Sequence, residues 1–170
     1  LKRGGTVFGT FTVFAAREEI LDEQTSGLIG EIAAALSFAH EKVAAARALA
    51  QSEEAYRTLF DASPDAIRVV DGEHIVLVNP AYRRLFGIPE GEAVPREGLF
   101  DGVHPDSREA ARSRLRRVMT EQLSLPADEQ WMLRRDGTRV PVEVTTRPFT
   151  YHGRGAALSI LRDLSGRREA

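Results

Sequence analysis

The feature that most constrains this chain is a proline-free stretch from residue 27 to residue 60. It is rich in Ala, Leu, Glu and Arg, which lose the least free energy on entering a helix. Its apolar positions alternate in steps of three and four residues, at Ile29, Ile32, Leu36, Ala39, Val43, Ala46 and Ala50. This a/d spacing predicts a coiled-coil helix, roughly 50 Å long at about 1.5 Å per residue, that forms a homodimer along the seam.

The seam is interrupted near its C-terminal end. Residues 51–54, Gln-Ser-Glu-Glu, place polar side chains where the heptad pattern requires an apolar one. Alanine also occupies three of the seven seam positions, and small side chains form weaker knobs than Leu or Ile. We therefore expect a connecting helix that can change register, with a hinge at residues 51–54.

Charge and composition exclude several functions. The net charge of −2 gives no electrostatic reason to expect nucleic acid or anionic lipid as a partner. The chain has no cysteine, which excludes disulfides, thiolate metal sites and a flavin–cysteinyl adduct. No apolar run is long enough to span a bilayer and no signal-peptide layout is present, so we expect no membrane segment here. The absence of cysteine fits a reducing compartment, and we expect a cytoplasmic location. Because the chain begins with Leu1, in strand-like sequence, we interpret it as part of a longer protein.

The residues before the helix predict one strand. β-Branched and aromatic residues alternate with Thr over residues 6–14, and Asp22, Thr25 and Ser26 are candidates for the helix N-cap. A strand ending in Phe-Ala, an acidic loop and the sequence Leu-Ile-Gly-Glu-Ile-Ala-Ala-Ala-Leu resemble the end of a GAF domain. The resemblance implies that residues 1–21 are the terminal strand of a truncated GAF domain whose sheet partners lie outside the chain. An unrelated strand-to-helix connection is the alternative.

Beyond Ser63-Pro64, which end the helix, the pattern predicts an α+β domain. Strands are predicted over residues 67–70, 74–78, 129–135, 138–149 and 155–164, and helices over 81–86 and 105–123. Asn79 is predicted to cap the first of these helices, with Pro80 at its first position. We expect one five-stranded antiparallel sheet with helices on one face, preceded by the long helix and a short strand.

Five motifs in this region resemble a PAS domain. In that family's order they are Tyr56-Arg57 with Leu59-Phe60 and Ser63-Pro64-Asp65-Ala66-Ile67, Asn79-Pro80-Ala81 with Leu85-Phe86-Gly87, Val103-His104-Pro105-Asp106, Arg135-Asp136-Gly137-Thr138 with Val142-Glu143-Val144, and Arg162-Asp163-Leu164. The resemblance implies the long helix at residues 22–60, a PAS domain at 61–165 and the start of an exit helix at 166–170. Ser165 stands where the family usually has Thr, and it keeps a hydroxyl that can cap the exit helix.

This arrangement resembles the sensory region of a multidomain bacterial protein such as a sensor histidine kinase. The resemblance implies that Asp163 holds the end of the last strand against the exit helix beginning at Ser165, and so relays the signal. The PAS region of a diguanylate cyclase or transcriptional regulator, used only for dimerisation or protein interaction, is the alternative. The chain has no P-loop, nucleophile elbow or metalloprotease motif, so we expect no catalysis and no metal site in the chain itself.

A PAS domain also implies a pocket between the sheet and the long helix of the domain. Its predicted lining is Val69, Val78, Leu85, Phe86, Phe100, Leu115, Met119, Trp131, Leu133, Val144 and Ile160. The same residues can form a closed core, so a packed interior and a site for a small apolar or aromatic ligand both stay open. Trp131 is the residue to watch, because its N–H needs a partner when buried.

No cofactor is required by these residues. The light-sensing flavin type of PAS domain needs a cysteine, and the haem type has a histidine where this chain has Ala110 or Ala111, so the sequence argues against both. His104 is predicted to fix the turn before the domain's long helix through the carboxylate of Asp106. The arginines of that helix, Arg112, Arg114, Arg116 and Arg117, fall on several faces, and we expect them to be solvated.

Overall fold

The computed structural model describes residues 1–3, 6–12, 14, 22–95 and 98–168. The chain divides into two units, Leu1–Tyr56 and Arg57–Ala170. The first unit holds β1 (Lys2–Arg3), β2 (Thr6–Val7) and most of α1 (Glu23–Ala62). The second holds the end of α1, followed by β3 (Ala66–Asp71), β4 (His74–Val78), α2 (Pro80–Phe86), α3 (Pro105–Glu121), β5 (Leu125–Leu133), β6 (Arg139–Tyr151), β7 (Arg154–Asp163) and α4 (Ser165–Arg168).

The N-terminal segment is a very short hairpin, which corrects the prediction of one strand over residues 6–14. Only Thr6–Val7 is a strand, and it pairs antiparallel with Lys2–Arg3 of the same chain. The amino group of Leu1 donates to the carbonyl of Gly9 at 2.8 Å, which closes the hairpin on itself. Residues 8–12 lie outside the strands, and Val13 of the predicted strand lies outside the described residues.

Helix α1 starts four residues before the proline-free stretch and ends two residues beyond it. Asp22 is its cap, as predicted: its Oδ1 accepts from the backbone N–H of Thr25 at 2.7 Å, and the Thr25 hydrogen bonds lower the pKa of the Asp22 carboxyl. No residue of α1 is buried in the single chain, and the side chains of Ile32, Leu36 and Val43 are 39%, 43% and 50% exposed. The predicted break at residues 51–54 is helical in the single chain, and the coiled coil stays a prediction.

The second unit confirms the predicted α+β fold. Its five strands form one antiparallel sheet in the order β4-β3-β7-β6-β5. Alternate residues of each strand point to one face, where they pack with α2, α3 and the loop between these helices. The buried cluster on this face contains Ala66, Val70, Ile75, Tyr82, Leu85, Phe86, Leu99, Phe100, Val103, Ala111, Met132, Val140, Val142, Val144 and Leu161.

Asn79 joins three elements of this unit. Its side chain is fully buried, and its Oδ1 accepts from the N–H of Ile67 on β3 at 2.8 Å and from that of Tyr82 on α2 at 2.9 Å. Its Nδ2 donates to the carbonyls of Phe60 at 3.2 Å and Asp65 at 3.0 Å. The predicted N-cap is therefore also the partner of a carbonyl in the last turn of α1, which would otherwise lack one.

We expect Asn79→Ala to lower the free energy of unfolding by about 3–5 kcal/mol, because it removes four hydrogen bonds of a fully buried side chain and leaves backbone groups of three elements unpaired. Asn79→Asp keeps the acceptor but faces two carbonyl oxygens with a carboxylate, so we expect at least as large a loss at pH 7 and a smaller one at acid pH. Chemical denaturation measures both effects. Asp136→Ala is the control: its carboxylate bonds Thr138 in an exposed turn, so its loss should cost below about 1 kcal/mol. A similar cost for Asn79→Ala and Asp136→Ala would contradict the central role of Asn79.

Candidate functional site

A groove of about 450 Å³ lies beside the buried cluster. It lies between α2, the loop that follows α2 and the hairpin joining β5 to β6. Its apolar lining includes Ile75, Tyr82, Phe86, Ile88, Val94, Pro95, Leu99 and Leu133. We name this site the α2 groove. Its size and apolar lining suit a small apolar or aromatic molecule.

Two arginines hold the loop that borders the α2 groove. Arg83 donates from Nη1 to the carbonyls of Pro89 at 3.2 Å and Glu92 at 2.8 Å. Arg135 donates from Nη1 to Oε1 of Glu92 at 2.6 Å, and this hydrogen bond raises the pKa of Arg135. Both the backbone and the side chain of Glu92 are thus fixed by guanidinium groups from α2 and the β5–β6 hairpin.

A second, smaller cavity lies between the inner face of the sheet and α3. It has a volume of about 20 Å³, room for roughly one water-sized group. Its polar lining comes from Arg68 on β3, Arg114 on α3, Gln130 on β5, Thr146 on β6 and Ser159 on β7. We name it the Arg68 cavity.

The predicted pocket residues are divided between several environments. Leu85, Phe86, Phe100 and Val144 belong to the buried cluster, and Val78 and Leu115 pack against it. Phe86 and Leu133 line the α2 groove, whereas Phe100, Leu115 and Val144 line the Arg68 cavity. Met119 is half-buried on α3 and lines neither.

Three residues predicted to line the pocket lie on the opposite face of the sheet. Val69 and Ile160 alternate with the inward-facing Arg68 and Leu161 along their strands, so they point outward. Trp131 is opposite Pro141 on the same outer side and is 36% exposed, with the guanidinium carbon of Arg139 at 5.4 Å from its ring centroid. The prediction followed hydrophobicity, which does not fix the face on which a strand residue lies.

Sequence reasoning missed the polar residues of the Arg68 cavity. Arg114 was expected to be solvated, but its Nη2 donates to the carbonyls of Leu125 at 3.3 Å, Pro126 and Val144 at 3.4 Å. Burial lowers the pKa of Arg114, and the nearby carboxylate of Asp128 opposes this shift. A signal was available in the sequence: Arg68 stands inside the apolar run of the first predicted strand.

The residues predicted at the turn before α3 and at the exit of the domain make the following contacts. His104 caps α3, where its Nδ1 accepts from the N–H of Asp106 at 3.4 Å and lies 3.4 Å from Oδ2 of Asp106. Asp163 accepts from the N–H of Ser165 through Oδ1 at 2.8 Å, and Ser165 is the first residue of α4. The Oδ2 of Asp163 lies 3.5 Å from Nη2 of Arg134. The Asp163 carboxylate thus contacts the start of α4 and Arg134, the residue that follows β5.

With this geometry, a five-stranded antiparallel sheet with helices packed on one face, the chain has the architecture of a PAS domain. The family model described as "PAS fold" matches residues 54–164, and the chain belongs to this family.

Among curated proteins, the chain is similar to the methyl sulfide methyltransferase-associated sensor of Methanosarcina acetivorans, with 27% identity over 98% of the chain. It is also similar to sporulation kinase A of Bacillus subtilis, with 26% identity over 71% of the chain. The chain spans only 17% and 20% of the lengths of these two relatives.

Among solved structures, the PAS domain of the HTR-like protein from Haloarcula marismortui superposes with a TM-score of 0.58 at 27% identity. The match covers 69% of this chain and 95% of that one.

Within residues 1–3, 6–12, 14, 22–95 and 98–168, the structure contains no helix whose length and hydropathy would suit a bilayer span.

The loop contacts of the α2 groove give a testable prediction. Arg83→Met removes two charge-assisted hydrogen bonds, so we expect the amides of residues 90–94 to exchange with solvent about tenfold faster. Global stability should change by less than about 1 kcal/mol, because the lost contacts are exposed. Hydrogen–deuterium exchange with mass spectrometry measures the first effect and urea denaturation the second.

Arg84→Met is the matched control, since it removes a neighbouring exposed arginine of α2 that makes neither contact. Equal exchange in the Arg83 variant, the Arg84 variant and the parent chain would show that these arginine contacts do not hold the loop.

Proposed function

We propose that this chain is a sensory PAS module of a multidomain signalling protein, most simply a cytoplasmic sensor histidine kinase. In this proposal α1 forms a homodimer and α4 leads to the output region. The proposal is supported by similarity to one protein named as a sensor and one named as a kinase. The match to the sensor extends over almost the whole chain, α1 included.

The observation that carries the proposal is the position of Asp163. Its two carboxylate oxygens contact different elements, the N–H of Ser165 and the guanidinium of Arg134. A shift of β5 or β7 would change the geometry at Oδ1, and a helix end responds to the loss of its capping acceptor. The carboxylate therefore converts a change in the sheet into a change at the start of α4.

The dimer in this proposal uses the seam of α1. In the single chain the seam residues Ile32, Leu36 and Val43 are substantially exposed, and a second copy of the same helix is the occupant that an a/d pattern selects. The alanine positions leave the association weak enough to allow two registers, which a relay helix requires. Assignment of residues 1–21 to a GAF domain rests on the sequence resemblance alone and stays a prediction.

The α2 groove is the input site in this proposal, because a 450 Å³ apolar groove can accept a small apolar or aromatic molecule. A second function, dimerisation and protein interaction without a ligand, is favoured by the small volume of the other cavity, about 20 Å³. Mass spectrometry of molecules released from the purified chain separates the two functions. A released molecule that protects the amides of residues 90–94 supports the first, and an empty groove supports the second.

The seam gives a direct test of the dimer. Ile32→Glu and Val43→Glu each place a charge at an a or d position, so we expect both variants to be monomers by multi-angle light scattering. Ala34→Glu and Ala48→Glu are matched controls, because both residues occupy the f position of the same heptads, on the side away from the seam. A monomeric parent chain at high concentration, or equal dissociation in the control variants, would contradict dimerisation through this seam.

The relay is tested in the full-length protein. Asp163→Ala should cost about 1 kcal/mol of stability or less, since the carboxylate is exposed, yet change basal autophosphorylation about fivefold or more through lost coupling. Asp71→Ala is the control, because it removes an exposed ion pair with Arg154 at the other end of β3. Unchanged output in the Asp163 variant, or the same change in the Asp71 variant, would rule out this relay.

A further inference from the structure

The inner face of the sheet carries a polar row between apolar rows. Strand pairing places Arg68 on β3 opposite Ser159 on β7, and Ser159 opposite Thr146 on β6. On one side the neighbouring inward row is Ala66, Leu161 and Val144, and on the other it begins with Val70 and Ala157. A cationic side chain thus lies in the middle of an apolar sheet face.

Arg68 is unusually buried for a charged residue, with 8% exposure. Its Nε and Nη1 are both inaccessible, and neither has a hydrogen-bond acceptor among the described residues. Two buried guanidinium nitrogens without acceptors are unfavourable, and Arg stays protonated at any physiological pH. The group therefore needs a counter-charge.

The surroundings add donors and a second positive charge. Arg114 lines the same cavity, and its buried Nε also lacks an acceptor within the part of the chain that the structure describes. Thr146 Oγ1 and Ser159 Oγ lie 3.3 Å apart and share one hydrogen bond, so one hydroxyl hydrogen remains to be donated elsewhere. None of the described residues lining the cavity is acidic. The carboxylate of exposed Asp128 accepts from Gln130 at 3.2 Å and interacts electrostatically with Arg114.

We infer that the Arg68 cavity binds one small monovalent anion between Arg68 and Arg114, either a halide or the carboxylate of a very short organic acid. The volume of about 20 Å³ limits the occupant to roughly the size of a water molecule. Two guanidinium groups and a hydroxyl supply the donors that such an anion needs. The role of this anion binding as a sensory input rests on the function proposed above.

The test is denaturation of the 170-residue chain with increasing sodium chloride or sodium formate, at constant ionic strength maintained with bulky gluconate. We expect saturable stabilisation by chloride, formate or both, with the folded-to-unfolded ratio rising about 100-fold at 100 times the Kd. Whether chloride or formate acts at lower concentration identifies the source of the anion. Succinate, which exceeds the cavity, should have no such effect.

Arg68→Met should abolish the anion response and be more stable than the parent chain in gluconate alone, because it removes a buried unpaired charge. Arg147→Met is the matched control. Arg147 is exposed on β6, next to Thr146, and its substitution removes the same charge from the outer face of the sheet. This control should keep the full response.

Absence of a saturable response, an equal response in Arg68→Met, loss of the response in Arg147→Met, or equal stabilisation by succinate would each overturn the inference. If Arg68→Met does not fold, anomalous scattering from crystals of the parent chain grown in bromide gives the answer. A bromide beside both Arg68 and Arg114 supports the inference, and bromide found only at the surface overturns it. The dimer and relay experiments use other residues and readouts, so their failure is separable from failure of anion binding.

Discussion

The amide of Asn79 is the interaction on which the PAS unit most depends. Its four hydrogen bonds use both of its donor hydrogens and two acceptor positions, and the Asn79 side chain itself is fully buried. They fix where β3 starts, where α2 starts and how the last turn of α1 is satisfied. A side chain of another shape or hydrogen-bonding pattern leaves backbone groups on three elements without the partner that Asn79 supplies.

The polar row across the sheet, unlike Asn79, contains a charged side chain whose burial destabilises the folded chain. Arg68 occupies a position where an aliphatic residue would pack with Val70 and Leu161 without desolvating a charge. Proteins retain such residues mainly where function needs them, because an isolated buried charge gives no stability of its own. The two residues contrast: Asn79 has hydrogen-bond partners for both side-chain atoms, whereas two buried donors of Arg68 have no acceptor among the residues that the structure describes.

The fold could be predicted from short-range signals, whereas the face of each strand residue could not. Asn79-Pro80 and the Asp-Gly turns identify where elements begin and end, because these residues satisfy particular backbone geometries. The side of the sheet on which a strand residue lies is harder to predict, because a register shift of one residue exchanges the two faces. Val69 is 1% exposed although it points outward from β3, which has a neighbouring strand on each side, and so its burial gave no sign of its direction. The bulge between Val69 and Val70 also alters the alternation between β3 and β4.

The entrance and the exit of the PAS unit are joined through two neighbouring strands. Asp65, immediately before β3, accepts from Arg162 of β7 at 3.1 and 3.3 Å, and Arg162 precedes Asp163, which contacts α4. The backbone carbonyl of Asp65 also binds Asn79, which contacts the last turn of α1. The polar row of Arg68 and Ser159 lies only three residues from these contacts on each strand. Under the proposed function, an anion bound at Arg68 would act on the β3–β7 pair that contacts both the last turn of α1 and the start of α4, and these contacts would give it a short mechanical route to both helices.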